Sequence, residues 1–369
     1  MFGCHPNDLT VIPDNIRAEI LVLFQIFITK GARSCRAHRN EPCLRPPNTT
    51  DETMTSAQYM GALKLLIARA QRTGTVKIPE SGQQNSEMIR GITTSYQHFD
   101  DLLGSIKSIK DPRESLGAFL YRLKTGLPLK KVAALFWMRK STFCDRYKKI
   151  THQLFQKFVP LNLGFEAMAT RDQTFKHNTE ITKRLLLSDE QLRARAKVTI
   201  WDGTYIFMEK SMNSTVQKKS FSGQKKAPLF KPMLCVFPDG YIYEIFPFNT
   251  GVANDASIIK RILIALSRFS RYFQEGDVFI LERGFRDAFR DLQAKGFIVY
   301  TPAFVAGREQ LSWDEANRNR VVTKNRWVVE AVNGRLKTQF RVLHHIVHNT
   351  NIESKLMELK ICCAIMNKY

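Results

Sequence analysis

The sequence lacks the features of a secreted or membrane-spanning protein. Its seven cysteines are an odd number in 369 residues, and none forms a Cys-x-x-Cys pair. This usage excludes a disulfide framework, offers no zinc-finger spacing and fits a reducing compartment. The apolar run at 20–28 is too short to span a bilayer. Three acids and one arginine precede it, whereas a signal peptide begins with positive charge, so a buried helix or strand is favoured.

Acidic residues are also scarce. Lysine and arginine number 56 against 34 acids, which gives a net charge of +22. A charge of that size calls for an anionic partner, with nucleic acid as the first candidate and an anionic membrane surface as the second. Membrane binding predicts a long basic amphipathic helix with an aromatic apolar face, and the sequence has none that is convincing. We therefore expect DNA as the partner, no membrane, and a nuclear location if the source is eukaryotic.

The first half of the chain is expected to be helical after an irregular start. Residues 1–50 form an arm of ill-defined structure, with one helix around 14–30. Residues 51–160 read as a helical region, in which 55–74 is a helix that ends at a glycine. Residues 75–86 are rich in Gly, Gln, Ser and Pro and indicate a linker.

Residues 112–158 predict three short helices in helix-turn-helix order. The first ends at Gly126, the second starts after Pro128, and the third begins near Ser141 or Thr142, either of which suits a helix N-terminus. Trp137 lies in the turn, where glycine is more usual. Residues 120–150 carry nine Lys or Arg against one acid, which fits contact with phosphates, although a solvated three-helix bundle would look similar. The expected DNA-contacting residues here are Lys140, Ser141, Thr142, Arg146 and Lys148.

From residue 190 to 345 the pattern changes to strands alternating with helices. Strands are expected at 197–202, on both sides of a turn at 238–240, at 277–282 and at 297–304. Helices follow the later strands, and the last covers 325–340. An opening hairpin followed by alternating strands and helices predicts an α/β domain, α+β over the whole chain, with a mixed sheet covered by helices. The stretch 342–348 reads as a short strand with exposed histidines.

Three acids occupy comparable places in this domain. Asp202 ends the first strand, Glu282 ends the fourth, and Glu330 lies inside the last helix. Carboxylates that converge at one edge of a sheet repel each other unless a cation neutralises them, and two Mg²⁺ or Mn²⁺ ions would do so. The alternative is that each of the three acids forms a separate salt bridge on the surface. Arg326 and Lys337, near Glu330, are candidates for phosphate contact.

These residues stand within blocks that resemble the Harbinger-like DDE superfamily endonuclease (transposase) family. The blocks are "IWDGTYI", "PDGYI", "GVANDASII", "GDVFILERGFRD" and "NRWVVEAVNGRLK", in order, and "LGAFLYRLKTGLPLKKVAALFWMRKST" resembles the preceding helix-turn-helix. The resemblance implies an RNase H-like fold, a metal-dependent triad, and DNA cleavage and strand transfer in transposition. It maps the triad and the metal ligands onto Asp202, Glu282 and Glu330, and implies a separate Myb-like DNA-binding partner.

Position 282 departs from the family, which has aspartate there. Glutamate is longer by one carbon–carbon bond, and Mg²⁺ is strict about ligand geometry. A catalytically silent DNA-binding scaffold therefore stays open as the alternative to an active nuclease. Asp255 opens a helix and is interpreted as a capping residue or an indirect support of the site. The C-terminal helix, 350–369, either closes the domain or pairs with a second copy of the chain.

Overall fold

The computed structural model describes residues 9–11, 33–35, 96–246, 249–265, 269–303, 310–348 and 351–369. The chain divides into two units, residues 1–84 and 85–369. In the first unit two short strands, β1 (Leu9–Val11) and β2 (Arg33–Cys35), pair antiparallel. This pair was not predicted from the sequence. The helices expected at 14–30 and 55–74 lie outside the described residues.

The second unit begins with helices. They are α1 (Tyr96–Gly104), α2 (Pro112–Thr125), α3 (Leu129–Leu135), α4 (Lys140–Lys157), α5 (Val159–Asn162), α6 (Arg171–Phe175), α7 (Glu180–Leu186) and α8 (Asp189–Arg193). A 3₁₀ turn, Phe165–Met168, separates α5 from α6. The described helices are all too short or too polar to cross a membrane.

The three helices predicted over 112–158 are α2, α3 and α4. Gly126 ends α2 in a left-handed conformation, with φ of 70°, and Pro128 precedes α3. Trp137, in the turn before α4, has φ of 54°, a conformation that favours glycine. The prediction that Ser141 or Thr142 caps α4 is wrong. The helix starts one residue earlier, after Arg139, and no side chain caps it.

Strands and helices then alternate. The elements are β3 (Val198–Gly203), β4 (Ile206–Phe207), α9 (Ser214–Ser220), β5 (Phe221–Ser222), β6 (Ala227–Phe230), β7 (Met233–Val236), β8 (Ile242–Phe246), α10 (Asp255–Ala265), α11 (Phe269–Tyr272), β9 (Val278–Ile280), α12 (Phe289–Gln293), β10 (Ile298–Tyr300), α13 (Trp313–Gln339) and α14 (Ile352–Lys368). 3₁₀ helices cover Arg283–Ala288 and Arg341–His344.

Five of these strands form one mixed sheet in the order β10-β9-β3-β7-β8. The strands β3, β9 and β10 are parallel, whereas β7 and β8 are antiparallel additions on the other side of β3. The hairpin predicted around 238–240 is β7–β8. The predicted mixed sheet flanked by helices is confirmed. A smaller sheet pairs β4, β6 and β5.

The two faces of the large sheet carry different cores, because side chains alternate along each strand. Ile200 and Ile280 belong to the core that also contains Val329 and Val332 of α13. Trp201 and Phe279 belong to an aromatic-rich core on the other face, with residues of α10. Asp202 follows Ile200 by two positions, so it faces the side on which α13 packs.

The C-terminal helix α14 closes this unit. Leu359, Ile361 and the adjacent Cys362 and Cys363 are buried, and the helix contacts α4, α5 and β8. The strand predicted at 342–348 is wrong for its first half, which is a 3₁₀ helix. Val342 and Leu343 are both buried at consecutive positions, an arrangement that an alternating strand cannot give. Val347 forms an isolated bridge with Met208.

Candidate active site at the carboxyl end of the sheet

Asp202 and Glu282 lie at the same level of the sheet. In the parallel pairing of β3 with β9, Ile200 is opposite Ile280. Asp202 and Glu282 each follow by two residues, so the register brings them to the same edge. Burial, and next the charge of Glu282, raise the pKa of Asp202 to about 7. The strand register and this electrostatic coupling bring the two acids to one edge, and their role as metal ligands stays a prediction.

Helix α13 points a polar stripe towards this edge. Arg326, Glu330, Asn333 and Lys337 are spaced by four, three and four residues, so they share one side of the helix. Asn333 donates from Nδ2 to Asp202 Oδ2 at 3.3 Å, which fixes the stripe against β3. Sequence reasoning missed Asn333, although its position three residues after Glu330 is the signal that could have found it.

The sheet-facing side of α13 is formed mainly by aliphatic residues. Trp327 is 64% exposed, and a Cβ added to Gly334 would meet nothing within 4 Å. Trp327 and Gly334 therefore do not lie on the side of α13 that packs against the sheet. The buried residues are Val322, Asn325, Val329, Val332 and Leu336, a stripe that is adjacent to the polar one. The packing of these mainly aliphatic residues thus fixes the position of Glu330 relative to the sheet.

Arg326 lies between the other two acids. Its Nη2 is 2.6 Å from Glu330 Oε1, and its Nη1 is 3.9 Å from Glu282 Oε2. The guanidinium is mostly buried, whereas both carboxylates are about half exposed. In this arrangement the guanidinium of Arg326 neutralises Glu330 and approaches Glu282.

Asp255, which sequence reasoning ranked low, contributes a fourth acid to this edge. Its charge is among the causes that raise the pKa of Asp202. Asn254 accepts from the backbone N–H of Ser257 at 2.7 Å, so the cap of α10 is Asn254 and the interpretation of Asp255 as the cap is wrong. The Asp255 carboxylate is left to face the ends of β3 and β9.

Basic and aromatic groups border the acids. The pKa of Lys337 is lowered, first by burial and then by the nearby charge of Lys225, while Asp202 opposes that shift. Lys225 and Lys231 lie 5.0 and 5.7 Å from the ring centre of Tyr205. Burial, followed by the charges of Asp255, Asp202 and Glu282, raises the pKa of Tyr205. An anionic substrate would thus find cations beside the carboxylates.

The donor set fits a hard divalent cation in its chemistry. Within the described ranges, no three His, Cys, Asp or Glu side chains are grouped as a ready metal cage. All the donors are carboxylate oxygens, which Mg²⁺ and Mn²⁺ prefer. Asp255 Oδ1 is buried and has no hydrogen-bond partner among the described residues, so one oxygen at this edge is available to a ligand. The residues therefore fit a cation at Asp202 and Asp255 more directly than at Glu330.

The predicted DNA-contacting residues of α4 are divided between surface and interior. Lys140, Ser141 and Lys148 are exposed, and Thr142 is partly buried. Arg146 is 13% exposed and bonds to Asp111 and Ser115 at 3.0 and 3.1 Å. A phosphate contact by Arg146 would have to compete with these bonds.

Fold and site together define a mixed α/β domain whose five-stranded sheet, flanked by helices, carries acids at the carboxyl ends of its central strands. This architecture is consistent with a DDE nuclease fold. Residues 201–367 match the sequence model of a family described as DDE superfamily endonuclease, a span that includes Asp202, Asp255, Glu282 and Glu330. Members of that superfamily generally use divalent metal and act on DNA. The comparison with curated proteins gave no match, and neither did the comparison with solved structures.

Proposed function

We propose that the protein is a DDE endonuclease of the Harbinger-like transposase type, which binds DNA and cleaves and rejoins its phosphodiester bonds with Mg²⁺ or Mn²⁺. The observation that carries the proposal is Asp202, a mostly buried carboxylate at the end of the central strand with further acids beside it and a single hydrogen bond, at 3.3 Å, to a side chain. Buried acids with raised pKa values in such a position are typical of functional sites.

Asp202, Glu282 and Glu330 would hold the metal. When bound, the metal supplies an activated water or 3′-hydroxyl and stabilises the leaving oxygen. Asn333 orients Asp202 through its hydrogen bond, and Arg326 positions Glu330. Lys337 and Lys225 attract the phosphates, since the charge of Lys337 interacts with that of Asp202 and Lys225 lies close to Lys337.

The helices α2, α3 and α4 would provide sequence-independent and sequence-specific contact with the duplex. Lys140, Ser141 and Thr142 are on the first turn of α4, where a recognition helix of a helix-turn-helix meets DNA, and Lys148 is on the third turn. Trp137, in the turn before these residues, has a left-handed backbone conformation and a side chain that is 65% exposed. Localisation to the nucleus, a Myb-like partner protein and assembly into a homo-oligomer belong to the same proposal.

The alternative is a catalytically silent DNA-binding scaffold on the same fold. Two features favour it: glutamate at 282, and the close ion pair of Arg326 with Glu330. If Arg326 keeps its place permanently, Glu330 is not free to bind metal. The two hypotheses make the same prediction for DNA binding and differ in cleavage.

The test is nicking of supercoiled plasmid DNA in Mg²⁺ or Mn²⁺ by the full chain and by Asp202→Asn, Glu330→Gln and Glu282→Asp. We expect cleavage by the wild type and a loss of at least about a hundredfold in Asp202→Asn, because a metal ligand is removed. Asp287→Asn is the matched control and should cleave normally, because Asp287 is an exposed acid in the 3₁₀ helix after Glu282. An inert wild type with an active Glu282→Asp variant would establish the silent scaffold.

A further inference from the structure

The carboxylate of Asp255 lies in a space made by two glycines. A Cβ added to Gly203 would come within 3.4 Å of Asp255 Oδ1, and one added to Gly284 within 3.2 Å of Oδ2. Gly203 directly follows Asp202, and Gly284 follows Glu282 by two residues. Each oxygen of Asp255 therefore lies against the backbone beside one of the two acids that end β3 and β9.

Ordinary structural roles do not account for this placement. Asn254 already caps α10, and Asp255 Oδ1 accepts no hydrogen bond from the described residues although it is buried. Lys231 is the nearby cation whose charge acts on Asp255, but its Nζ donates to the carbonyl oxygen of Ala253 at 3.0 Å. A buried carboxylate oxygen without a partner is costly unless a ligand satisfies it.

We infer that Asp255 is a metal ligand of this site, which shares a divalent cation with Asp202 and supplies the short carboxylate that is missing at position 282. The inference rests on the proposed metal-dependent function and adds a residue to it. Glu282 extends from the strand end towards Arg326 and is half exposed, whereas Asp255 approaches from α10 and places its oxygens between the two strand ends. Asp255, a shorter acid on α10, would thus take the ligand position for which Glu282 at the end of β9 is too long.

Mn²⁺ binding tests the assignment without relying on cleavage. Binding is measured as the loss of the electron paramagnetic resonance signal of the free ion. Wild type, Asp255→Asn, Asp202→Asn and the control Asp287→Asn are titrated, and their unfolding in EDTA is recorded by circular dichroism. We expect Asp255→Asn and Asp202→Asn each to weaken Mn²⁺ affinity by at least about tenfold. Asp287→Asn, with the same change of charge, should stay within about twofold of wild type.

Gly284→Ala provides a second variant that leaves every acid in place. Its added Cβ would crowd Asp255 Oδ2, so Mn²⁺ affinity should fall several-fold while unfolding in EDTA changes little. Wild-type affinity in both folded Asp255→Asn and Gly284→Ala, with a loss in Asp202→Asn, would overturn the role of Asp255 and leave the proposed function standing. Mn²⁺ affinity that is the same in wild type and Asp202→Asn would overturn both.

Discussion

The acids at the two ends of strand β9 differ in burial and in the number of hydrogen bonds they accept. At its start, Asp277 is fully buried and accepts two hydrogen bonds from Arg171 and one each from the backbone N–H groups of Lys197 and Gln274. At its other end, Glu282 is half exposed and lies 3.9 Å from the guanidinium of Arg326. Beside it, Asp202 accepts one side-chain hydrogen bond at 3.3 Å.

The difference separates an acid that holds the fold together from acids that are available for binding. The carboxylate of Asp277 accepts from three separate segments of the chain, so its burial is compensated. At the carboxyl end Asp202 accepts from the Asn333 side chain and from the backbone N–H of Gly203, and Asp255 Oδ1 accepts no hydrogen bond from the described residues. Part of the cost of burying these two acids is therefore left for a ligand to offset. Acid content alone would not distinguish the two ends.

The largest effect on stability is expected from Asp277→Asn. The substitution leaves Arg171 without its buried charge partner and alters the bonds to two backbone N–H groups. The free energy of unfolding in urea should fall by about 3–5 kcal/mol. The comparison variant is Asp202→Asn, which removes a buried charge with little compensation and should leave the stability in EDTA unchanged or increased. Equal losses in the two variants would contradict the contrast between the ends.

The second largest effect is expected in the way the free energy of unfolding depends on pH. The pKa of Asp202 is about 7 in the folded state against 3.8 for the free side chain, so the folded chain holds this proton more tightly. Asp202 therefore makes metal-free stability fall as pH rises from about 4 to about 7, by about 2–4 kcal/mol, with no further change above that. Urea unfolding in EDTA across this range should show the fall in wild type. Subtracting the stability profile of Asp202→Asn from that of wild type isolates the contribution of Asp202. Parallel profiles of stability against pH in the two proteins would contradict the raised pKa.

The smallest effect is expected from Arg326→Gln. Arg326 contacts two carboxylates that are each about half exposed, and such pairs contribute little because water screens them. The free energy of unfolding in EDTA should fall by no more than about 1 kcal/mol. A loss as large as that of Asp277→Asn would mean that the guanidinium is a structural part of the carboxyl end, which would favour the silent scaffold.

Much of the fold could be predicted from the sequence because its local signals agree. Gly126 and Pro128 mark the helix boundaries, and the turn at 238–240 joins β7 to β8. The 3₁₀ helix at 341–344 could not be predicted, since its apolar residues suit a strand as well. The β1–β2 pair joins residues more than twenty positions apart, and such pairing leaves little local trace in sequence.

The candidate site was predicted in part. Asp202 and Glu282 follow from strand ends, because parallel strands bring their carboxyl ends to one edge. Asn333 and Asp255 depend on how α13 and α10 sit against the sheet, which tertiary packing decides. The pairing of Arg326 with Glu330 was also missed, although a spacing of four residues on a helix permits it. The metal ion expected between the acids stays a prediction, and Arg326 lies between Glu282 and Glu330.

The most direct measurement of the central claim is an anomalous difference map from crystals soaked in Mn²⁺. The account predicts a peak at the carboxyl ends of β3 and β9, within ligand distance of the carboxylates of Asp202 and Asp255, and no peak at Asp277. A peak confined to surface acids, or no peak within ligand distance of Asp202 and Asp255, would contradict it.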